Sequence, residues 1–165
     1  MNHPPSPLQT LVAHTAWANR QMFGALRSVE SFDTQPGADL ITRALDHIHV
    51  VRCIFQAHLQ GVPHSFAAPQ RAVLPSLEEL DRDFEAVDRW YLDAVTSLPA
   101  AELARPRDVR FTDGKVVTMT ATEMLLHVVI HTIHHRGNID VIMLQTGMPR
   151  RRDGIPEFVS RASAM

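Results

Sequence analysis

His127, His131 and His135 stand four residues apart in an otherwise apolar stretch, with His134 beside them. On a helix each four-residue step turns by about 40°, so the three imidazoles share one stripe, with Cβ atoms roughly 6 Å apart. Two imidazoles so placed can hold one metal ion. Leu125, Leu126, Val128, Val129, Ile130 and Ile133 surround the stripe, which predicts a helix buried on most of its circumference. Unpaired polar rings there would be costly to desolvate, so they need hydrogen bonds, water or a metal as partners. The chain holds ten histidines, and imidazole is both the commonest metal ligand and a group that titrates near neutrality.

A third donor would come from a second helix, which carries His47, His49 and His58. Leu40, Ala44, Val51, Ile54 and Phe55 define its inward face. His47 and His58 fall on that face, whereas His49 points about 150° from its centre and is expected in solvent. Spacing alone leaves His127 in play as a further ligand.

Several other chemistries lack their parts. Thr132 stands where a His-Glu-x-x-His metalloprotease keeps its general base. No glutamate is followed three residues later by histidine, as a di-iron carboxylate bundle requires. A single cysteine, Cys53, gives neither a thiolate zinc site nor an internal disulfide, and reads as a packed residue. There is no Gly-rich phosphate loop and no Gly-x-Ser-x-Gly elbow. Glu123 is better explained as a helix cap, and Asp140 faces away from the histidine stripe. Catalytic groups beyond a metal therefore stay unassigned, and no organic cofactor is indicated.

Four long helices must position these residues. Ser6-Pro7 opens the first, about 7–29. Ser31 to Ala38 forms a loop, and Asp39 is placed to cap the second helix, which runs to about Gln60. Val62 to Pro75, with three prolines and no periodicity, is a long crossover between helices two and three. Ser76 and Glu79 make a capping box for helix three, which ends before Pro99. Arg107 to Thr118 changes period around Asp113-Gly114 and reads as a short hairpin. Thr120 and Glu123 open helix four, about 120–146, ended by Gly147 and Pro149. The fold class is thus all-α: a four-helix bundle with a long crossover and a hairpin before its last helix.

The 165 residues suit a single domain, 1–165. A net charge of −2 gives no field for nucleic acid, and Arg150-Arg151-Arg152 reads as a solvated segment. No apolar run approaches the ~20 residues of a membrane span. With no signal-like opening and one cysteine, a reducing cytoplasm is the expected location.

The segment His127-Val-Val-Ile-His131-Thr-Ile-His134-His135-Arg136-Gly137-Asn138 resembles the helix-four signature of the DinB/YfiT-like proteins. Leu45-Asp-His47-Ile looks like their helix-two metal motif, and Trp17-Ala-Asn19-Arg20 like a recurring element of helix one. Asn138 departs from the family's usual glutamine. The resemblance spans nearly the whole chain. It implies a divalent transition metal, nickel or zinc, on His47, His131 and His135, with His127 in the cleft rather than on the ion. It also implies a homodimer. Related members of the wider superfamily include thiol-dependent transferases and isomerases, so the resemblance favours a metal-dependent enzyme passing a low-molecular-weight thiol to a small-molecule electrophile. The alternative is a non-catalytic metal-binding or stress-response sensing module.

Overall fold

A computed structural model describes residues 4–161. Helix α1 spans Pro7–Leu26 behind a capping box in which Ser6 and Gln9 satisfy each other's free backbone N–H groups. It stops three residues short of the sequence expectation. After Leu26 the N–H groups of Ser28 and Val29 bond back three residues, and the Ser28 hydroxyl donates to the Ala25 carbonyl at 2.7 Å. That local bond competes with the helical ladder.

A 3₁₀ turn, Phe32–Thr34, then tucks Phe32 into the core before α2, Ala38–Gln60. The N-cap of α2 is Gly37 rather than Asp39. Gly37 has φ of +85°, and a Cβ there would lie 2.6 Å from Cγ2 of Ile142, so the chain needs glycine for backbone reasons. Asp39 sits in the first turn and pairs with Arg43 at 2.8 Å.

Helix α3, Leu77–Ser97, starts at the Ser76/Glu79 box, and a short α4 covers Ala100–Ala104. Strands β1, Pro106–Arg110, and β2, Val116–Thr120, pair antiparallel with Val109 opposite Val117. Gly114 turns the hairpin at φ +87°. Thr120 ends β2 and caps α5, Ala121–Gln145; α6, Ile155–Ser160, follows.

Side-chain pairings fix the bundle's directions. Asn19 meets Asp88 and Phe23 meets Phe84, so α1 and α3 run antiparallel. Gly37 meets Ile142, while Phe55 meets His127, so α2 and α5 are antiparallel too. His49 lies against Phe84 and Arg52 against Asp88, which makes α2 and α3 parallel. Parallel neighbours cannot be joined by a tight turn, and the 61–76 crossover is the consequence.

The core has two halves. One gathers Phe23, Leu26, Ile41, Leu45, Phe84 and Ile139; the other gathers Phe55, Tyr91, Val109, Met124, Leu125 and Val129. Between them lies a buried polar layer. Arg52 pairs with Asp88, Asn19 Nδ2 donates to both Asp88 oxygens at 3.2 Å, and Arg136 reaches Asn19 Oδ1 at 3.4 Å. The Tyr91 hydroxyl donates to the Arg52 carbonyl at 2.8 Å. Each long helix supplies one charged or amide group to this layer, tying all four together.

Two expectations about buried faces are corrected. Helix α5 is not covered on most sides: Ile130, Val141 and Leu144 are 64%, 51% and 62% exposed, because α1 and α2 cover only part of its circumference. Leu40, expected inward, lies in solvent at the start of α2.

Candidate metal centre

The antiparallel packing of α2 on α5 sets His47 opposite His131 and His135. Ring centroids lie 4.9 Å apart for His47 and His131, 4.7 Å for His47 and His135, and 4.4 Å for His131 and His135. Each residue offers a ring nitrogen, and these nitrogens lie within 4.8 Å of one another.

The crossover orients His47. Its Nδ1 lies 2.8 Å from the Pro69 carbonyl, which can only accept, so Nδ1 carries the proton and Nε2 presents a lone pair. Nε2 stands 3.1 Å from Nε2 of His131. Two nitrogens sharing one tetrahedral ion at ordinary bond lengths would be about 3.3 Å apart, so this spacing suits a shared ion. The other nitrogen of His131, Nδ1, is buried without a partner among the described residues. Arg71 holds the crossover in register: its backbone N–H and its Nε donate to the fully buried Asp46 carboxylate at 2.8 and 2.5 Å. Consecutive residues Asp46 and His47 thus anchor the same loop.

Burial and crowding keep His131 and His135 neutral. The pKa of His131 is pushed down to about 3, first by desolvation and then by His135, His47, His127 and His134. His135 is lowered by burial and by His47 and His134. Metal binding requires deprotonated imidazoles, so these two rings are held in the receptive state. A divalent cation is a partner that such clustered neutral donors suit.

His127 is set apart. Its ring stacks on Phe55 at 4.5 Å and 24°, and its centroid is 5.7 Å from that of His131. Burial lowers its pKa. With Ile130, His131 and His134 it lines a cavity of about 300 Å³ that opens to solvent and meets the candidate centre at His131.

The remaining candidates go elsewhere. His49 is not solvated; it is 8% exposed, turned toward α3, with Nε2 3.4 Å from Cys53 Sγ and 3.7 Å from Asp83. Helix α2 is covered on that side by α3, which a wheel built on one inward face does not anticipate. Burial raises the Cys53 thiol to about 11, so it is a packed thiol rather than a nucleophile. His58 reaches the hairpin, Nε2 lying 3.1 Å from the Arg110 carbonyl. Glu123 caps α5, and Asp140 pairs with Arg150 at 3.3 Å. Sequence reasoning passed over Asp46, Arg71 and Pro69. The aspartate beside a predicted ligand was the one available signal, and it pointed to Asp46 alone.

Among the described residues no helix is long and apolar enough to cross a membrane. The DinB family model matches residues 1–160. The chain is 23% identical over 147 residues to Protein DinB of Bacillus subtilis (strain 168), covering 83% of this chain and 84% of that protein. A family match over almost the entire sequence, on a helical bundle that gathers three histidines from its second and last long helices, shows that the chain belongs to the DinB family.

Proposed function

We propose that His47, His131 and His135 hold nickel or zinc and that the protein is an enzyme transferring a low-molecular-weight thiol to a small electrophile. The observation that carries this reading is the three-imidazole cluster, one member of which, His131, also lines a solvent-open cavity of about 300 Å³. Three protein ligands leave coordination positions for a substrate, as catalytic rather than structural sites do. A divalent ion there would acidify a thiol brought to its open side. In the transfer the thiol sulfur would form the C–S bond with its lone pair, the electrophile's leaving group would depart with its bonding pair, and the thiol proton would go to solvent.

The chain's own residues have separable tasks. Pro69 and the Asp46–Arg71 pair fix the His47 ring. His127 and Ile130 shape the approach from solvent. Hydrolysis needs a positioned base, yet Asp46, Glu123 and Asp140 are committed to Arg71, the Thr120 cap and Arg150. Thiol transfer needs no such carboxylate. A reducing cytoplasm, where small thiols stay reduced, is the matching location.

The exposed apolar residues Val141 and Leu144, beyond the cavity on α5, support a homodimer with a self-complementary two-fold contact. Light scattering at high micromolar concentration should give twice the chain mass; a monomer there rejects the pairing.

The activity is tested by mixing metal-loaded protein with chlorodinitrobenzene and cysteine or glutathione, then repeating with His131→Ala. Faster C–S bond formation that disappears in the variant supports the reading. Full metal loading with no acceleration across a broader panel of thiols and electrophiles would identify a non-catalytic metal-binding module instead.

A further inference from the structure

On the other side of α5, roughly 170° around the helix from the histidine stripe, a second cavity of about 360 Å³ lies between α1, α5 and the chain leading into α6. Its volume falls in the range of small-molecule sites. Three features show how it is built.

The first is Gly137, in the interior of a 25-residue helix, where glycine is the poorest helix former after proline. Its φ is not positive, and a Cβ added there would meet nothing within 4 Å. Neither turn geometry nor close packing explains this exposed glycine, which borders the cavity on the α5 side with no side chain to narrow it. The second feature is an apolar wall of Met22, Ile139 and Met143, buried residues that border the space. The third is charge. Arg136, Arg150 and Arg151 line the cavity together with Asp140 and Asp153. Arg136 pairs with Asp153 at 2.7 Å and Arg150 with Asp140 at 3.3 Å, which leaves the exposed Arg151 outside any ion pair among the described residues. Two carboxylates are thus answered and one guanidinium is in excess at the rim.

We infer that this cavity binds a small organic anion, its carboxylate at Arg151 and its apolar body along Met22, Ile139 and Met143. A guanidinium matches a carboxylate with paired N–H donors, while flexible methionines adapt to an apolar body. The site shares α5 with the histidine cluster but none of its ligands, so it stands whether or not that cluster is catalytic.

The test titrates the full-length protein with sodium octanoate, and with 1-octanol as the neutral counterpart, by calorimetry and by NMR of methyl-labelled methionines. Octanoate should saturate one site at submillimolar concentration and move the Met22 and Met143 signals while leaving Met124, in the other half of the core, unmoved. Octanol should bind at least tenfold more weakly, and Arg151→Ala should weaken octanoate by about tenfold. Gly137→Leu, which projects a side chain into the open space from a good helix former, should abolish binding without changing metal content. The methyl shifts locate the ligand even if that variant folds poorly. The inference is overturned if octanoate fails to saturate by about 10 mM, if the shifts fall on Met124 instead, if folded Gly137→Leu binds like wild type, or if octanol matches octanoate and Arg151→Ala changes nothing.

Discussion

Acidifying the metal-free protein from pH 7.5 to 5.5 is expected to lower its thermal midpoint by about 2–4 °C through His131 alone. In the unfolded chain this imidazole titrates near 6.5, but in the folded protein burial and four neighbouring histidines hold it near 3. Below pH 6.5 the unfolded chain therefore takes up a proton that the folded chain refuses. The folded state is fully favoured above 6.5 and loses ground progressively toward pH 3. At pH 5.5, one unit below the unfolded value, the loss reaches about 1.4 kcal/mol for a ring wholly barred from protonation. His131 is only partly buried, and solvent screening trims this to about 1 kcal/mol. For a chain of 165 residues, that is about 2–4 °C. Scanning calorimetry of chelator-treated wild type and His131→Gln at both pH values isolates the contribution, because His135, His127 and His49 remain in each protein. Wild type should lose about 2–4 °C more than the variant on acidification. Equal losses, or a larger loss in the variant, would refute the argument that burial keeps His131 neutral.

Asp88→Ala strands the buried Arg52 guanidinium and should cost about 3–5 kcal/mol in urea unfolding. Gly37→Ala forces a Cβ into the left-handed region and against Ile142, with an expected loss of about 1–3 kcal/mol by the same measurement. His127→Ala removes the ring stacked between Phe55 and the metal side of α5; its affinity for zinc, measured by chelator competition, should fall by about 10- to 100-fold. His49→Ala, whose ring faces Cys53 and Asp83, should leave zinc affinity unchanged.

Periodicity and punctuation made the long helices legible. Ser6-Pro7, Ser76/Glu79 and Thr120/Glu123 each sit at a helix start in the structure, because local hydrogen bonds at those caps need no tertiary help. The Gly37 cap was hidden because its left-handed backbone is not written in the residues around it and the close approach there is to Ile142, more than a hundred residues away in the chain. His47, His131 and His135 could be nominated from spacing and family resemblance, and antiparallel packing brings them together. His49 was misplaced for a related reason: a wheel assumes one buried face, whereas α2 is covered by both α5 and α3. The Asn19–Asp88–Arg52 layer gave no local signal, since its members lie on three helices and only the fold makes them neighbours. The crossover's role was invisible too, because a proline-rich segment without periodicity does not announce that its Pro69 carbonyl will set the His47 tautomer.

Elemental analysis of tag-free protein, reconstituted with nickel or zinc and then dialysed, tests the three-histidine centre most directly. Wild type should retain about one ion per chain, as should His49→Ala, with His127→Ala still loading at higher metal concentration. His47→Ala, His131→Ala and His135→Ala should each retain almost none. No retained metal in wild type would contradict the centre altogether, and loss in His127→Ala with retention in His135→Ala would place it one helical turn nearer the start of α5.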